Sequence, residues 1–230
     1  MIILRTILFL VYTAIMSTGR YLVFDCDSTL SGLEGVDELA LLRGQDISQA
    51  CEGMTMDAME GRVALESIFA ARLNLIKPTQ AEVVALGQRY IETVEPTALE
   101  ILTGLRKEGW QTAILSGGFT QAILPLANYL GIDRVEAVPL VFDQEGNYVK
   151  FDSTAPTCRS GGKLEVLAKW RREFSLERIV MVGDGSSDLE TKGVADFFVG
   201  FGRYLRRAKV EKEADAFILS LEELPALLQA

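Results

Sequence analysis

Two aspartates one residue apart end an apolar run, Tyr21-Leu22-Val23-Phe24-Asp25-Cys26-Asp27-Ser28-Thr29. The run is short, rich in aromatic and β-branched residues and bounded by turn-formers, the pattern of a strand covered on both faces. Side chains alternate along a strand, so Asp25 and Asp27 point to one side for as long as the extended geometry lasts. Carboxylates at the carboxyl end of a buried strand lie where open α/β sheets place their ligands. Like charges that close require a cation, a shared proton or both.

Three further stretches carry chemistry at equivalent places. Leu115-Ser116-Gly117-Gly118-Phe119 ends a strand in a hydroxyl and two glycines before a helix begins. Free backbone N–H groups and a helix start suit an anion there, and a plain turn using glycine for its geometry is the alternative. Ser160-Gly161-Gly162-Lys163 sets a lysine in the first turn of a helix, where the helix dipole opposes a cation; a solvated surface lysine is the competing explanation. Val182-Gly183-Asp184-Gly185-Ser186-Ser187-Asp188 comes after another apolar strand, and Asp188 also suits a helix-start acid. Singly, each stretch has a structural explanation. Together they bring acids, an anion turn and a cation to one sheet edge. Mg²⁺ takes one or two carboxylates with phosphate and waters. An ionised aspartate attacks phosphorus once the surrounding charge is neutralised.

The elements that must position these residues keep an α/β rhythm. After Thr29 the pattern turns helical for about sixty residues, with apolar spacing over 36–43, 55–60, 63–73 and 79–92. Leu65, Ile68, Phe69 and Leu73 form one stripe, and Thr79 with Glu82 reads as a capping box. From Pro96 the reading is helix 97–107, strand 110–115, helix 119–130, a hairpin of 138–142 with 148–151, helix 162–174, strand 178–182, a short helix from Ser187, strand 197–199, and a closing strand 216–219 and helix 221–228. Such alternation predicts a doubly wound parallel sheet, an α/β fold of Rossmann type, interrupted by a helical insertion. The expected division is a core of 20–31 and 95–230, a helical cap of 32–94, and an extension of 1–19.

The bulk composition narrows the chemistry. Among 230 residues there is no histidine, which excludes Ser-His-Asp and Cys-His hydrolases, HExxH zinc enzymes and phospho-histidine transfer. A net charge of −9 gives no general case for nucleic acid or an anionic membrane surface. Three cysteines without a CxxC pair read as free thiols of a reducing compartment, and the expected location is cytoplasmic. Met1 to Met16 is apolar with one arginine, too short for a firm membrane span; it reads as an upstream extension, with an export signal as the alternative.

The four stretches, in order, resemble the haloacid dehalogenase superfamily of phosphotransferases over nearly all of 21–228, and within it the phosphoserine phosphatases. Glu34-Gly35-Val36-Asp37-Glu38, Ala58-Met59-Glu60-Gly61, Arg72-Leu73-Asn74-Leu75-Ile76-Lys77-Pro78, Pro156-Thr157 and Gly200-Phe201-Gly202 are similar to that branch. The resemblance implies Asp25 as nucleophile and Asp27 as acid and base, its backbone carbonyl on Mg²⁺. Ser116, Gly117 and Gly118 would hold the phosphoryl oxygens, with Ser187 beside them, and Lys163 would pair with Asp25 and phosphate. Asp184 would ligate Mg²⁺ and Asp188 support it. In the cap, Glu34 would meet an ammonium, Arg72 a carboxylate, and Met59 and Leu65 would wall the pocket. The implied substrate is a small phosphomonoester, O-phosphoserine, taken by a monomer or homodimer. Ser186-Ser187, Leu65 and Cys158-Arg159 depart from the branch's usual residues and bear on substrate preference more than on chemistry. Another small phosphomonoester, or a non-catalytic module that only binds a phospho-ligand, are the competing functions.

Overall fold

Alternation along the first strand decides the layering. In β1 (Arg20–Phe24), Leu22 and Phe24 join one apolar cluster and Tyr21 and Val23 the other, and all four are buried. The computed structural model, which describes residues 19–59, 63 and 65–229, continues with α1 (Gly35–Leu41), α2 (Gln45–Met59), α3 (Leu65–Ile76) and α4 (Gln80–Glu92). The α/β alternation comes next: α5 (Ala98–Lys107), β2 (Gln111–Phe119), α6 (Thr120–Leu130), β3 (Arg134–Val138), the hairpin β4 (Leu140–Phe142) and β5 (Tyr148–Phe151), then α7 (Gly162–Glu173) and β6 (Arg178–Gly183). The chain closes with α8 (Ser186–Leu189), β7 (Phe197–Phe201), α9 (Ala208–Glu213), β8 (Ala216–Ile218) and α10 (Leu224–Leu228).

Six strands form a parallel sheet in the order β3-β2-β1-β6-β7-β8. β1 lies between β2 and β6, with Phe24 opposite both Ile114 and Val182. The strand order reverses at this point, which is where a doubly wound sheet opens a crevice for ligands. Asp25, Ser116 and Asp184 therefore leave three neighbouring strands at one edge. On one face, Tyr21, Val23, Ala113, Leu115, Ile179 and Met181 pack with Val166, Leu167 and Trp170 of α7. On the other, Leu22, Phe24, Ile114, Val180 and Val182 pack with α5 and α6.

The helical insertion is part of that second layer. Val83, Leu86 and Tyr90 of α4 share its core with Ala122, Ile123 and Leu126 of α6. Gly87 permits the approach: a Cβ there would stand 3.0 Å from the Ala122 carbonyl oxygen and from the Pro125 ring. The helix begins as predicted. Thr79 Oγ1 accepts from the Glu82 N–H at 3.3 Å, and Glu82 Oε2 accepts from the Thr79 N–H at 2.7 Å. Arg43 grips the same carboxylate at 2.8 and 2.6 Å and holds it at about 2.

Several boundaries differ from the periodicity. The predicted strand 138–142 divides at Pro139, which has no N–H to give a ladder: β3 ends at Val138 in the main sheet and β4 opens the hairpin. β2 runs on to Phe119, so Ser116-Gly117-Gly118 lie within the end of a strand, irregular in register between Leu115 and Phe119, and the helix starts one residue late. α2 begins ten residues ahead of the predicted start, through a polar stretch without an apolar stripe. α9 buries only Val210 and left no periodic signal. Among the described residues no helix is long and apolar enough to cross a membrane. Residues 1–18, with the apolar Met1–Met16, lie outside the described residues.

Candidate active site

The nucleophile candidate sits where backbone geometry changes. Asp25 N–H still donates to the Val182 carbonyl at 2.9 Å, so the sheet holds its main chain in place. Its Oδ1 accepts from the Cys26 N–H at 2.7 Å, and its Oδ2 lies 2.7 Å from Lys163 Nζ. Ser28 then takes a left-handed φ of 50°, a conformation uncommon outside glycine, and its hydroxyl donates to Glu34 Oε1 at 2.6 Å. The turn thus connects the acids to the start of the helical insertion.

Lys163 is 4% exposed and lies between two carboxylates, Asp25 and Asp188, the latter at 2.6 Å. The solvated-lysine alternative does not hold. Burial alone would push its ammonium down; Asp188 and Asp25 outweigh that, and the net shift is upward. Asp188 is fully buried beneath the cavity, one oxygen on Lys163 and the other accepting from the Gly185 N–H at 2.9 Å. It is both a helix-start acid and the support of the lysine. Gly183 permits this: a Cβ there would overlap the Asp188 carboxyl.

Asp25, Asp184 and Asp188 each bring a carboxylate oxygen within 4.8 Å of the others, all three buried. Asp25 and Asp184 line the cavity where an ion would sit, whereas Asp188 lies beneath it, held by Lys163 and Gly185. Asp184 accepts from Arg207 Nε at 3.0 Å and from Thr29 Oγ1 at 3.4 Å. Burial first, and then Asp25, lift its carboxyl to about 6 against the pull of Arg207. Hard oxygen donors, buried and under-compensated, fit Mg²⁺. The Asp27 carboxylate is not in this group.

Asp27 is held separately. Tyr90 of α4 donates its hydroxyl to Asp27 Oδ1. Burial, then the charge of Glu34, raise the Asp27 carboxyl well above its ordinary range, with the Tyr90 bond opposing and Asp25 adding less. Across from it, Ser116 Oγ accepts from the Gly118 N–H at 3.1 Å. That bond turns one predicted anion donor inward, leaving the Ser116 O–H and the Gly117 N–H for a ligand.

A cavity of about 390 Å³ unites these groups. It is lined by Asp25, Asp27, Glu34, Arg72, Ser116, Gly117, Gly118, Lys163, Asp184 and Ser187, every one predicted from sequence, with Asp188 just beneath. The remaining two, Met59 and Leu65, have side chains outside the described residues. Val36, Ile68 and Phe69 supply apolar wall. At the insertion side, Glu34 is pushed up to about 7, by burial first and then by Asp184, although Arg207 stands 3.9 Å away. Arg72 is shifted down by burial. Its Nη1 donates to Thr55 Oγ1 at 3.1 Å, while its Nε is buried with no hydrogen-bond partner among the described residues.

Four residues of the site were not singled out from sequence. Arg207 comes after β7 in an arginine-rich loop and gives no motif. Thr55 and Tyr90 read as ordinary helix positions. Thr157 lines the cavity with a buried hydroxyl that has no partner among the described residues; its only signal was the Pro156-Thr157 pair.

Comparison with known proteins agrees with this geometry. The family model for haloacid dehalogenase-like hydrolases matches residues 22–191. The chain is 37% identical over 213 residues to a phosphoserine phosphatase of Drosophila melanogaster, covering 91% of this chain and 78% of that one. It is 36% identical over 208 residues to a phosphoserine phosphatase of Bos taurus, covering 90% and 92%. Among solved structures, it is similar to a phospho-aspartyl intermediate analogue of phosphoserine phosphatase, with a TM-score of 0.76, 25% identity, and 90% of this chain and 98% of that one covered.

Proposed function

Because this chain belongs to the haloacid dehalogenase-like hydrolase family, we propose that it is an Mg²⁺-dependent phosphoserine phosphatase releasing L-serine and phosphate. One observation carries the choice of substrate. Glu34, a carboxyl raised to about 7, and Arg72, a half-buried cation whose buried Nε has no hydrogen-bond partner among the described residues, line the same cavity as Asp25 and Lys163. A phosphomonoester bearing both an ammonium and a carboxylate answers both. A simple alkyl or aryl phosphate answers neither.

An Asp25 oxygen forms a bond to phosphorus as the bond from phosphorus to the seryl oxygen breaks, and the proton on Asp27 passes to that departing oxygen. The raised carboxyl of Asp27 favours the protonated form that this step requires. Water then attacks the phosphorus of the aspartyl-phosphate, its proton returns to Asp27, and the bond to Asp25 breaks to free phosphate. Lys163 balances charge on Asp25 and on the transferring group, and Asp188 holds the lysine. Ser116 and the Gly117 N–H meet the phosphoryl oxygens. Asp25, Asp184 and the Asp27 carbonyl would hold Mg²⁺, which supplies further charge neutralisation when bound. In this scheme residues 20–31 and 95–230 carry the chemistry, and 32–94 act as the cap that selects substrate.

The test is a screen of phosphorylated metabolites by phosphate release, with Mg²⁺ and with EDTA, beside Asp25→Asn. Phosphoserine should lead the set by kcat/KM, EDTA should abolish turnover, and the folded variant should be inactive. Preference for a phosphate lacking a carboxylate would overturn the substrate, and turnover by a deamidation-free Asp25→Asn sample would overturn the mechanism.

A further inference from the structure

Tyr90 is fully buried near the end of α4, one turn beyond the point where Gly87 seats that helix on α6. Its hydroxyl reaches across 63 positions of sequence to donate to Asp27 Oδ1. The other oxygen, Oδ2, faces the phosphate-binding turn, 3.5 Å from where a Cβ of Gly118 would stand. The Gly35 backbone N–H also bonds the Asp27 carboxyl, and a Cβ on Gly35 would overlap the Tyr90 hydroxyl. Tyr90, Gly35 and Asp27 therefore interlock, one from each of α4, the entry to α1 and the turn after β1.

We propose that Tyr90 is a positioning residue for proton transfer: it occupies one oxygen of Asp27 so that the other is presented to the leaving group. The proposal rests on the reading of Asp27 as the acid. A carboxyl free to rotate would offer its proton in the wrong direction for part of the time; one oxygen pinned by a buried phenol removes that freedom. Because α4 is packed on the sheet layer rather than lying over the cavity mouth, the restraint is present before substrate arrives. A buried tyrosine that merely found the nearest acceptor would act on stability alone, and the two cases separate kinetically.

The experiment compares kcat/KM for O-phosphoserine, whose alkoxide leaving group needs a proton, with kcat/KM for p-nitrophenyl phosphate, whose leaving group needs little. Tyr90→Phe should lower the phosphoserine value by about 10- to 100-fold, the span of a hydrogen bond to a charged group, and the nitrophenyl value by less than about three-fold. KM for phosphoserine should hold, because Glu34 and Arg72 are untouched. Asp27→Asn is measured in parallel, and adding Tyr90→Phe to it should bring no further loss on phosphoserine. If Asp27→Asn is selective for the poor leaving group but Tyr90→Phe lowers both substrates alike, or neither, the role of Tyr90 is overturned. If Asp27→Asn itself shows no selectivity, the acid reading fails instead. Should Tyr90→Phe not fold, Gly35→Ala, which keeps the phenol but crowds its hydroxyl off Asp27, must reproduce the shift in the ratio of the two values; an unchanged ratio overturns the proposal.

Discussion

Replacing Arg72 with methionine keeps most of the side-chain volume and removes the charge. The free protein already bears the desolvation of this guanidinium, whose Nε has no partner and whose Nη1 bonds Thr55. A substrate carboxylate would give the orphaned donor its first acceptor, in the bidentate geometry that suits arginine. Truncating one partner of a desolvated charge pair costs roughly 2–5 kcal/mol, about thirty-fold to a few thousand-fold. With burial already met, the upper half of that range is expected, several hundred-fold or more in kcat/KM for phosphoserine and mostly in KM. Hydrolysis of p-nitrophenyl phosphate should change by only a few-fold. The thermal midpoint should hold, since this half-buried cation is not what stabilises the fold. The assay is steady-state phosphate release on both substrates beside a melting curve. A parallel fall on the two substrates with the melt unchanged would refute the assignment, because Arg72 would then serve the chemistry rather than recognition.

Thr55→Val should raise KM for phosphoserine about ten-fold, roughly one hydrogen bond, by releasing Arg72, while Thr55→Ser, which keeps the hydroxyl, should behave as wild type. Equal values for the two variants would dismiss the hydroxyl. In metal-free protein, Glu34 at about 7 and Asp184 at about 6 hold protons that the unfolded chain has lost. Their stabilisation is complete below the ordinary carboxylate range and is lost as pH rises through the folded values. The melting temperature in EDTA should therefore fall between about pH 5 and 8, and the rise on adding Mg²⁺ should be larger at pH 8 than at pH 5.5. A Mg²⁺ effect of the same size at both would count against the acids as its ligands.

The catalytic edge was legible because each piece carries its own local signature. A doubly buried parallel strand announces itself as an unbroken apolar run, and the residues just past its carboxyl end reach the ligand edge by topology; Asp25, Ser116 and Asp184 were placed that way. Glu34 and Arg72 came from the likeness of their surroundings to a known branch. Arg207 and Tyr90 were not legible, because what makes them matter is a partner 23 and 63 positions away. On its own helix Tyr90 is simply one more apolar position in a stripe with Val83 and Leu86. Pro139 was an available signal: a residue without an N–H breaks a ladder, and it separates β3 from the hairpin.

The placement of the helical insertion between β1 and β2 divides the gene as well as the protein. On the proposed reading, Asp25, Ser116 and Asp184 do their work at the ends of three adjoining strands. Discrimination among phosphate esters, on the same reading, lies in the stretch between them, around Glu34, Thr55 and Arg72, and of these Glu34 also bears on the acid Asp27. A lineage carrying this layout can change its diet while keeping its teeth. Tyr90 is the stitch between the two regions: it lies in the insertion yet grips an acid that follows the first strand, so drift at that position would, on the proposed reading, alter the rate for esters with poor leaving groups before it altered which esters are accepted.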